Sequence, residues 1–459
     1  MQKTMVRDMT RGSVVPLLFR FAMPLFVSNA LQAVYNLVDM VVVGNVLGKS
    51  GMTAVSNGGD ILHLLTFIAM GFASAGQVLI ARSVGEDRPE DIHRTIGTMF
   101  TLLLSTSVAI ALICFGLRFS VLDWLNVPAD ARKFTMDYMV TCIVGLPFIY
   151  GYNIVSAILR GMGDSKRPFV FIAVAAVLNI VLDLLFVMVL RWEAFGAALA
   201  TVIGQGVSFV ASIIYLYHRR EAFGFDFKPA SFRPDRVATR RLLALGIPMA
   251  IQSAAINLSK IVLTAWINAD SVGNWNSALA GVYNKINMMA GVISQSFTTA
   301  GSTMVGQNLG ARQYRRVNTV LATVLIVGAV MSLIGMAAML IWPEAIYGIF
   351  NSGEDYMLVV GVLTLPIILN FWGSAFRSAA FSLINGSGRS NLNLAVAIID
   401  GMISRVGLAA LFGFAMGMGS RGFWLGDALA GFMPFVIGGT FYLSGRWREK
   451  QSREEPEDA

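Results

Sequence analysis

Residues 71–86 read GFASAGQVLIARSVGE and residues 296–311 read SFTTAGSTMVGQNLGA. These stretches lie 225 positions apart (296 − 71) and share Phe72/Phe297, Ala75/Ala300, Gly76/Gly301 and Gly85/Gly310. The same offset brings Asn126 onto Asn351 and RGMGDS (160–165) onto NGSGRS (385–390). Pro24 meets Pro248 at 224, and Gly196 meets Gly422 at 226. Four identities in sixteen mean little alone, because helices rich in small residues align by chance. A shared offset across five regions means much more, and the chain reads as a duplication.

The sequence around the repeat is apolar. Of 459 residues, 56% are hydrophobic and only 14% charged, with a mean hydropathy of +0.66; soluble domains carry roughly 25% charge. Apolar runs long enough for a membrane-spanning helix, about 20 residues, recur from end to end. The alternating ten-residue segments of a membrane barrel are absent. The expected fold is therefore all-α: a polytopic membrane protein of twelve transmembrane helices in two pseudo-symmetric six-helix bundles. Spans are predicted near 15–46, 56–82, 95–119, 134–158, 168–190 and 194–217, then 242–268, 278–306, 317–342, 357–384, 392–415 and 421–444. This gives an N-terminal lobe (1–217), a basic cytoplasmic linker (218–241), a C-terminal lobe (242–446) and a polar tail (447–459).

Charge supports one orientation. Loops on one side hold Arg82, Arg88, Arg94, Arg160, Lys166, Arg167, Arg312, Arg315 and Arg316, besides the linker and tails. The other side holds six cations: Lys49, Arg118, Arg132, Lys133, Arg191 and Arg421. The positive-inside rule then expects both termini in the cytoplasm and a multi-pass protein of the inner membrane. Lys3, Arg7 and Arg11 precede a run too long for a signal-peptide core, so no cleavable signal is expected. Six spans per half make the halves parallel repeats, an arrangement suited to alternating access around a central cavity.

Other classes find little support. Cys114 and Cys142 sit in apolar stretches and offer no disulfide framework. His63, His93 and His218 are too scattered for a metal centre. The net charge of +8 fits orientation better than nucleic-acid binding. No nucleotide-binding G-x-x-x-x-G-K-[ST] motif occurs, and no enzymatic activity or cofactor is expected beyond a coupling ion.

Ionisable residues at bilayer depth are functional candidates by default. Asp39 lies in LQAVYNLVDMVVVG, with Tyr35 and Asn36 one helical turn behind it. In VLNIVLDLLFV, Asn179 and Asp183 are four apart and share a face, and Thr201 in the next span adds a hydroxyl oxygen. Two buried carboxylates cannot both stay ionised cheaply, so a proton or Na⁺ would relieve their repulsion. The competing reading is helix–helix hydrogen bonding worth about 1 kcal/mol.

Pro24, the YNLVDMVVVG run at 35–44, the N-x-x-x-D of 179–183 and Thr201 eighteen residues later resemble the multidrug and toxic compound extrusion (MATE) family over essentially the whole chain. The resemblance implies a cation-coupled exporter in which Asp39, Asn179, Asp183 and Thr201 bind H⁺ or Na⁺. It is greater to the DNA-damage-inducible protein F branch than to the NorM branch. The NorM pattern places acids where this chain has Ile256 and Ser374, which speaks against a cation site in the C-terminal lobe.

Further charges fall within spans: Asp60 beside His63, Lys285 at the repeat position of Asp60, and Lys260, Arg377, Asp400 and Arg405. They read either as a substrate-contacting or gating cavity, or as local neutralisation and snorkelling. Asp400 and Arg405 are five apart, poor spacing for a pair on one α-helix. The 24 Met and 49 aromatic residues (30 Phe, 11 Tyr, 8 Trp) suit a polyspecific pocket for amphiphilic organic substrates or, for most of them, lipid-facing filler. A monomer contacting membrane lipid is expected. Two other readings stay open: a flippase for lipid-linked oligosaccharides, marked by several cations facing a pyrophosphate, and a non-transporting scaffold or receptor.

Overall fold

The structure, a computed structural model, describes residues 8–125, 127–269, 275–348 and 356–448. Asn126, Asn351 and the tail residues 449–459 lie outside the described residues. Among the described residues there is helix and no strand, and ten helical runs are long and apolar enough to cross a membrane. The first, Val14–Gly85, has 72 residues. At 1.5 Å per residue it would extend about 108 Å, several times the hydrocarbon thickness, so it must hold two spans. The break is at Gly48 (φ 63°, ψ −146°), a conformation open to a residue without Cβ. It separates α1 (14–47) from α2 (49–85).

The first half continues with α3 (Pro89–Trp124), α4 (Ala129–Gly161), α5 (Lys166–Val189) and α6 (Glu193–His218). The second half holds α7 (Arg236–Ala269), α8 (Trp275–Gly310), α9 (Tyr314–Ile341), α10 (Tyr356–Ser387), α11 (Ser390–Ala415) and α12 (Gly419–Leu443). Helix α8 falls outside the ten, yet its 36 residues are ample for a span. Among the described residues, twelve long helical segments thus occupy the twelve expected positions. Side chains such as Leu112 (70% exposed) and Ile326 (62% exposed) present apolar surface outward, as hydrocarbon contact requires.

The duplication is written into the backbone. The non-glycine residues Asp87 and Arg312 both adopt left-handed φ (53° and 57°), 225 apart. Gly163 and Gly388 do the same at 225, and Arg191/Gly417 and Glu193/Gly419 at 226. The turn after α2, closed by Arg88 N–H to Ser83 O at 3.0 Å, recurs after α8 as Gln313 N–H to Asn308 O at 2.8 Å. The offset rises by one inside α11, where Ile399–Ser404 forms a π-turn absent from the matching part of α5. A π-turn accommodates one extra residue.

Small residues let the helices approach. A Cβ on Gly161 (α4) would lie 2.8 Å from the Gln77 carbonyl oxygen of α2. A Cβ on Gly386 (α10) would lie 2.8 Å from the Ser302 carbonyl oxygen of α8, the same contact 225 residues on. Gly76 packs on Met99, and Gly301 on Ser382 and Val324, so the opening stretch of each repeat supplies a close-packed seam.

Packing groups residues 8–9 and 19–255 in one compact unit, and residues 10–18 with 256–448 in the other. The first turns of α1 and the first part of α7 thus each join the unit of the other half. The segment between α6 and α7 packs on the first unit: the Phe225, Phe227 and Phe232 rings cluster together, and Phe100 of α3 lies 5.8 Å from Phe232. Thr98 accepts the Asp235 N–H at 3.0 Å. Within this segment the Ser231 hydroxyl, 2.5 Å away, is the main cause holding the Asp226 carboxyl at about 2.

Placing a side chain at either repeated seam should be felt. Gly161→Val and Gly386→Val are each expected to lower stability by about 1–3 kcal/mol through overpacking. Gly439→Ala, whose Cβ meets nothing within 4 Å, should leave stability unchanged or slightly raised. Thermal unfolding of the purified full-length protein in detergent measures all three.

Candidate functional site

In the first unit, four helices deliver oxygen to one buried region. Asp39 of α1 is 3% exposed, Asn179 and Asp183 of α5 are 3% and 0%, and Thr201 of α6 is 9%. The i, i+4 spacing of Asn179 and Asp183 puts both on one face of α5, and Asn179 Nδ2 donates to Thr201 Oγ1 of α6 at 3.2 Å. Tyr138 of α4 donates its hydroxyl to Asp39 Oδ2 at 3.2 Å. Its ring lies over Gly58 of α2, where a Cβ would collide with it. Asp39 is the charged neighbour of Asp183, and Tyr138 senses both carboxylates.

Four oxygens of this group have no hydrogen-bond partner: Asp39 Oδ1, Asn179 Oδ1 and both carboxylate oxygens of Asp183. All are acceptors when the carboxylates are ionised, and all are shut away from water. Such a set is suited to a positive guest, whether a proton on a carboxylate or a small hard cation shared among the oxygens. Tyr35 is buried beside Tyr152, Gln205 and Asp39. Asn36 is exposed, so only Tyr35 shares the inward face of α1 with Asp39. Asp60 is exposed near His63, and Lys285 is exposed on α8; neither belongs to a buried cluster.

The second unit assembles a different centre. Arg405 is 1% exposed and bridges two carboxylates, Asp400 at 3.1 Å and Asp427 of α12. The expectation that Asp400 and Arg405 are badly spaced is corrected here. Asp400 lies within the π-turn Ile399–Ser404 and Arg405 follows it directly, and the wider turn brings residues five apart onto one face. Asp427 also accepts the Tyr283 hydroxyl of α8 at 3.0 Å. Lys260 of α7 and Arg377 of α10 lie in the electrostatic neighbourhood of the same three residues. Tyr138, Tyr283 and Asp427 are absent from the expected site. The two tyrosines are distant in sequence from the acids they serve.

The repeat relates the two centres position by position. Beyond the π-turn the offset is 226, so Asn179 corresponds to Arg405 and Thr201 to Asp427. The neutral hydrogen-bonded pair of the first unit has become an ion pair in the second. Asp183 corresponds to Ala409 and, at the offset of the first helices (224), Asp39 corresponds to Leu263. Arg405 thus supplies the second unit with a permanent cation where the first leaves oxygens unsatisfied.

A duplicated bundle with a buried, partnerless oxygen cluster is the architecture of a polytopic α-helical membrane protein built around an internal polar site. The chain belongs to the MatE family, whose profile matches residues 24–185 and 248–421, once in each half. It is 28% identical over 450 residues to the probable multidrug resistance protein YpnP of Bacillus subtilis (strain 168), covering 96% of this chain and 97% of that protein. It is 19% identical to the multidrug export protein MepA of Staphylococcus haemolyticus, with 84% and 85% covered. Among solved structures, a MATE protein in complex with MaL6 superposes with a TM-score of 0.88 at 22% identity, covering 97% and 98%. A MOP superfamily transporter from Pyrococcus furiosus gives 0.89 at 21%, covering 98% and 100%.

Removing Arg405 strands two buried carboxylates. Arg405→Leu is expected to destabilise the protein by about 3–5 kcal/mol, and the double variant with Asp427→Leu should recover part of that loss. Thermal unfolding of both variants checks the expectation.

Proposed function

We propose that this protein is a secondary active transporter that exports small, amphiphilic organic molecules in exchange for H⁺ or Na⁺ by alternating access. The observation that carries this reading is the buried oxygen set of Asp39, Asn179, Asp183 and Thr201, with four unpartnered acceptor atoms. Family membership and the multidrug names of the relatives support the class of solute. On this reading the protein is a monomer in the cytoplasmic membrane with both termini inside, related to the DNA-damage-inducible protein F branch, and it needs no cofactor beyond the coupling ion.

The chemistry follows from competition for the oxygens. With both carboxylates ionised and close, the unit stores repulsion that an arriving proton or Na⁺ removes. A proton needs one carboxylate oxygen; Na⁺ would also use Asn179 Oδ1 and Thr201 Oγ1. Because the ligands sit on α1, α5 and α6, with Tyr138 of α4 holding Asp39, filling the site pulls four helices onto one centre. Emptying it lets them part. One cation entering down 100 mV releases about 2.3 kcal/mol, and one pH unit adds about 1.4. Together these suffice to concentrate a neutral solute several-hundred-fold.

A second reading, flipping of a lipid-linked oligosaccharide, draws on Lys260 and Arg377. It is weakened because Arg405 is already bound to two carboxylates and is not free to meet a pyrophosphate.

Asp39→Asn and Asp183→Asn should each abolish gradient-driven dye uptake into inside-out vesicles, with the protein still folded. Imposing ΔpH and a Na⁺ gradient separately identifies the ion. Uptake that ignores both gradients in the unmodified protein would overturn the reading.

A further inference from the structure

The second unit carries more positive than negative charge where the first carries only negative. Lys260, Arg377 and Arg405 face Asp400 and Asp427, three cations against two carboxylates. Arg405 is consumed by the two acids. Arg377 is half-buried, and its Nε and Nη2 are buried without a hydrogen-bond partner. Helix α12 is interrupted between Ala430 and Met433, and Arg377 Nη2 rests there on Gly431, where a Cβ would come within 2.6 Å. Lys260 is exposed and makes no ion pair among the described residues, although it lies in the field of Asp427, Arg405, Arg377 and Asp400. An accessible ammonium beside an underused guanidinium, on two different helices, is a receptor geometry for an oxyanion.

The repeat shows that this polarity is specific to the second half. Lys260 stands where the first half has Asn36, at 224; Arg377 stands where it has Tyr152, at 225; Arg405 stands where it has Asn179, at 226. Three neutral positions have become cationic, while the two acids of the first unit have become Leu263 and Ala409. Three cations against two carboxylates leave the cluster with one positive charge in surplus. A partly buried site with one surplus positive charge draws in an anion.

We propose that Lys260 and Arg377 form a binding subsite for a single oxyanion group, a carboxylate, sulfonate or phosphate, carried by an amphiphile. As a substrate subsite it rests on the export reading; as a binding site it stands by itself. The oxyanion would belong either to the transported solute or to an anionic phospholipid.

The test uses the full-length protein in nanodiscs of phosphatidylcholine alone, titrated with an anionic sulfonated dye and with a cationic rhodamine. Lys260→Gln and Arg377→Gln should each weaken the anionic dye about tenfold or more, as expected for losing one charge-assisted hydrogen bond. Rhodamine binding should not weaken. Lys260→Arg and Arg377→Lys should retain most of the affinity, and Lys260→Gln, at an exposed position, remains informative even if Arg377→Gln fails to fold. Repeating the titration with phosphatidylglycerol in the disc separates the sources. Competition that disappears in the Gln variants identifies a lipid headgroup, and its absence identifies a solute. Anionic-dye affinity equal to that of the unmodified protein in a folded Lys260→Gln variant would overturn the subsite. Asp39→Asn should retain dye binding while losing gradient-driven uptake, so a failure of coupling and a failure of the subsite give different results.

Discussion

A polar group at bilayer depth has no water to turn to, so it must find its partner inside the protein or remain in want of one. Most of this chain obeys the first alternative: serines and threonines on the helices bond back to carbonyls one turn away, as Ser28 does to Pro24 and Thr135 to Ala131. The group around Asp39 and Asp183 follows the second. Its unsatisfied oxygens come from helices that also share an apolar cluster of Val42, Val43, Tyr138, Val187 and Ala197, and that local shortage gives the helices a reason to respond to an ion.

How far this was legible in the sequence depends on whether the signal was local. The spans were legible because hydropathy is a property of short windows, and the Gly48 break falls in the polar gap between the first two expected spans. Asp39, Asn179, Asp183 and Thr201 stood out as polar exceptions in apolar runs, and the structure buries all four. Tyr138 did not stand out. It lies 99 residues from Asp39, in a chain where aromatics are common. Asp427 comes six residues after the start of an expected span, where a charge reads as interfacial. The Asp400–Arg405 pair is not legible in the sequence because the spacing rule assumes 3.6 residues per turn, and nothing in IDGMIS announces a wider one.

The duplication clarifies what each half retains. Both copies keep the left-handed turns after their second, fourth and fifth helices, and both keep the glycine seam between their second and fourth. Those features build the bundle. The polar centres have diverged freely by comparison: a neutral Asn–Thr contact in one half is an Arg–Asp ion pair in the other. Scaffold and site have been under separate constraints within one chain.

The single additional residue accommodated at Ile399–Ser404 reaches beyond its own turn. Each residue rotates an α-helix by about 100°, so excising that residue would swing Arg405 away from the polar interior and toward the lipid face. A one-codon deletion there would therefore be more damaging than most substitutions in α11. Any ungapped superposition of the two halves also goes out of phase from that point onward, comparing side chains that face different ways.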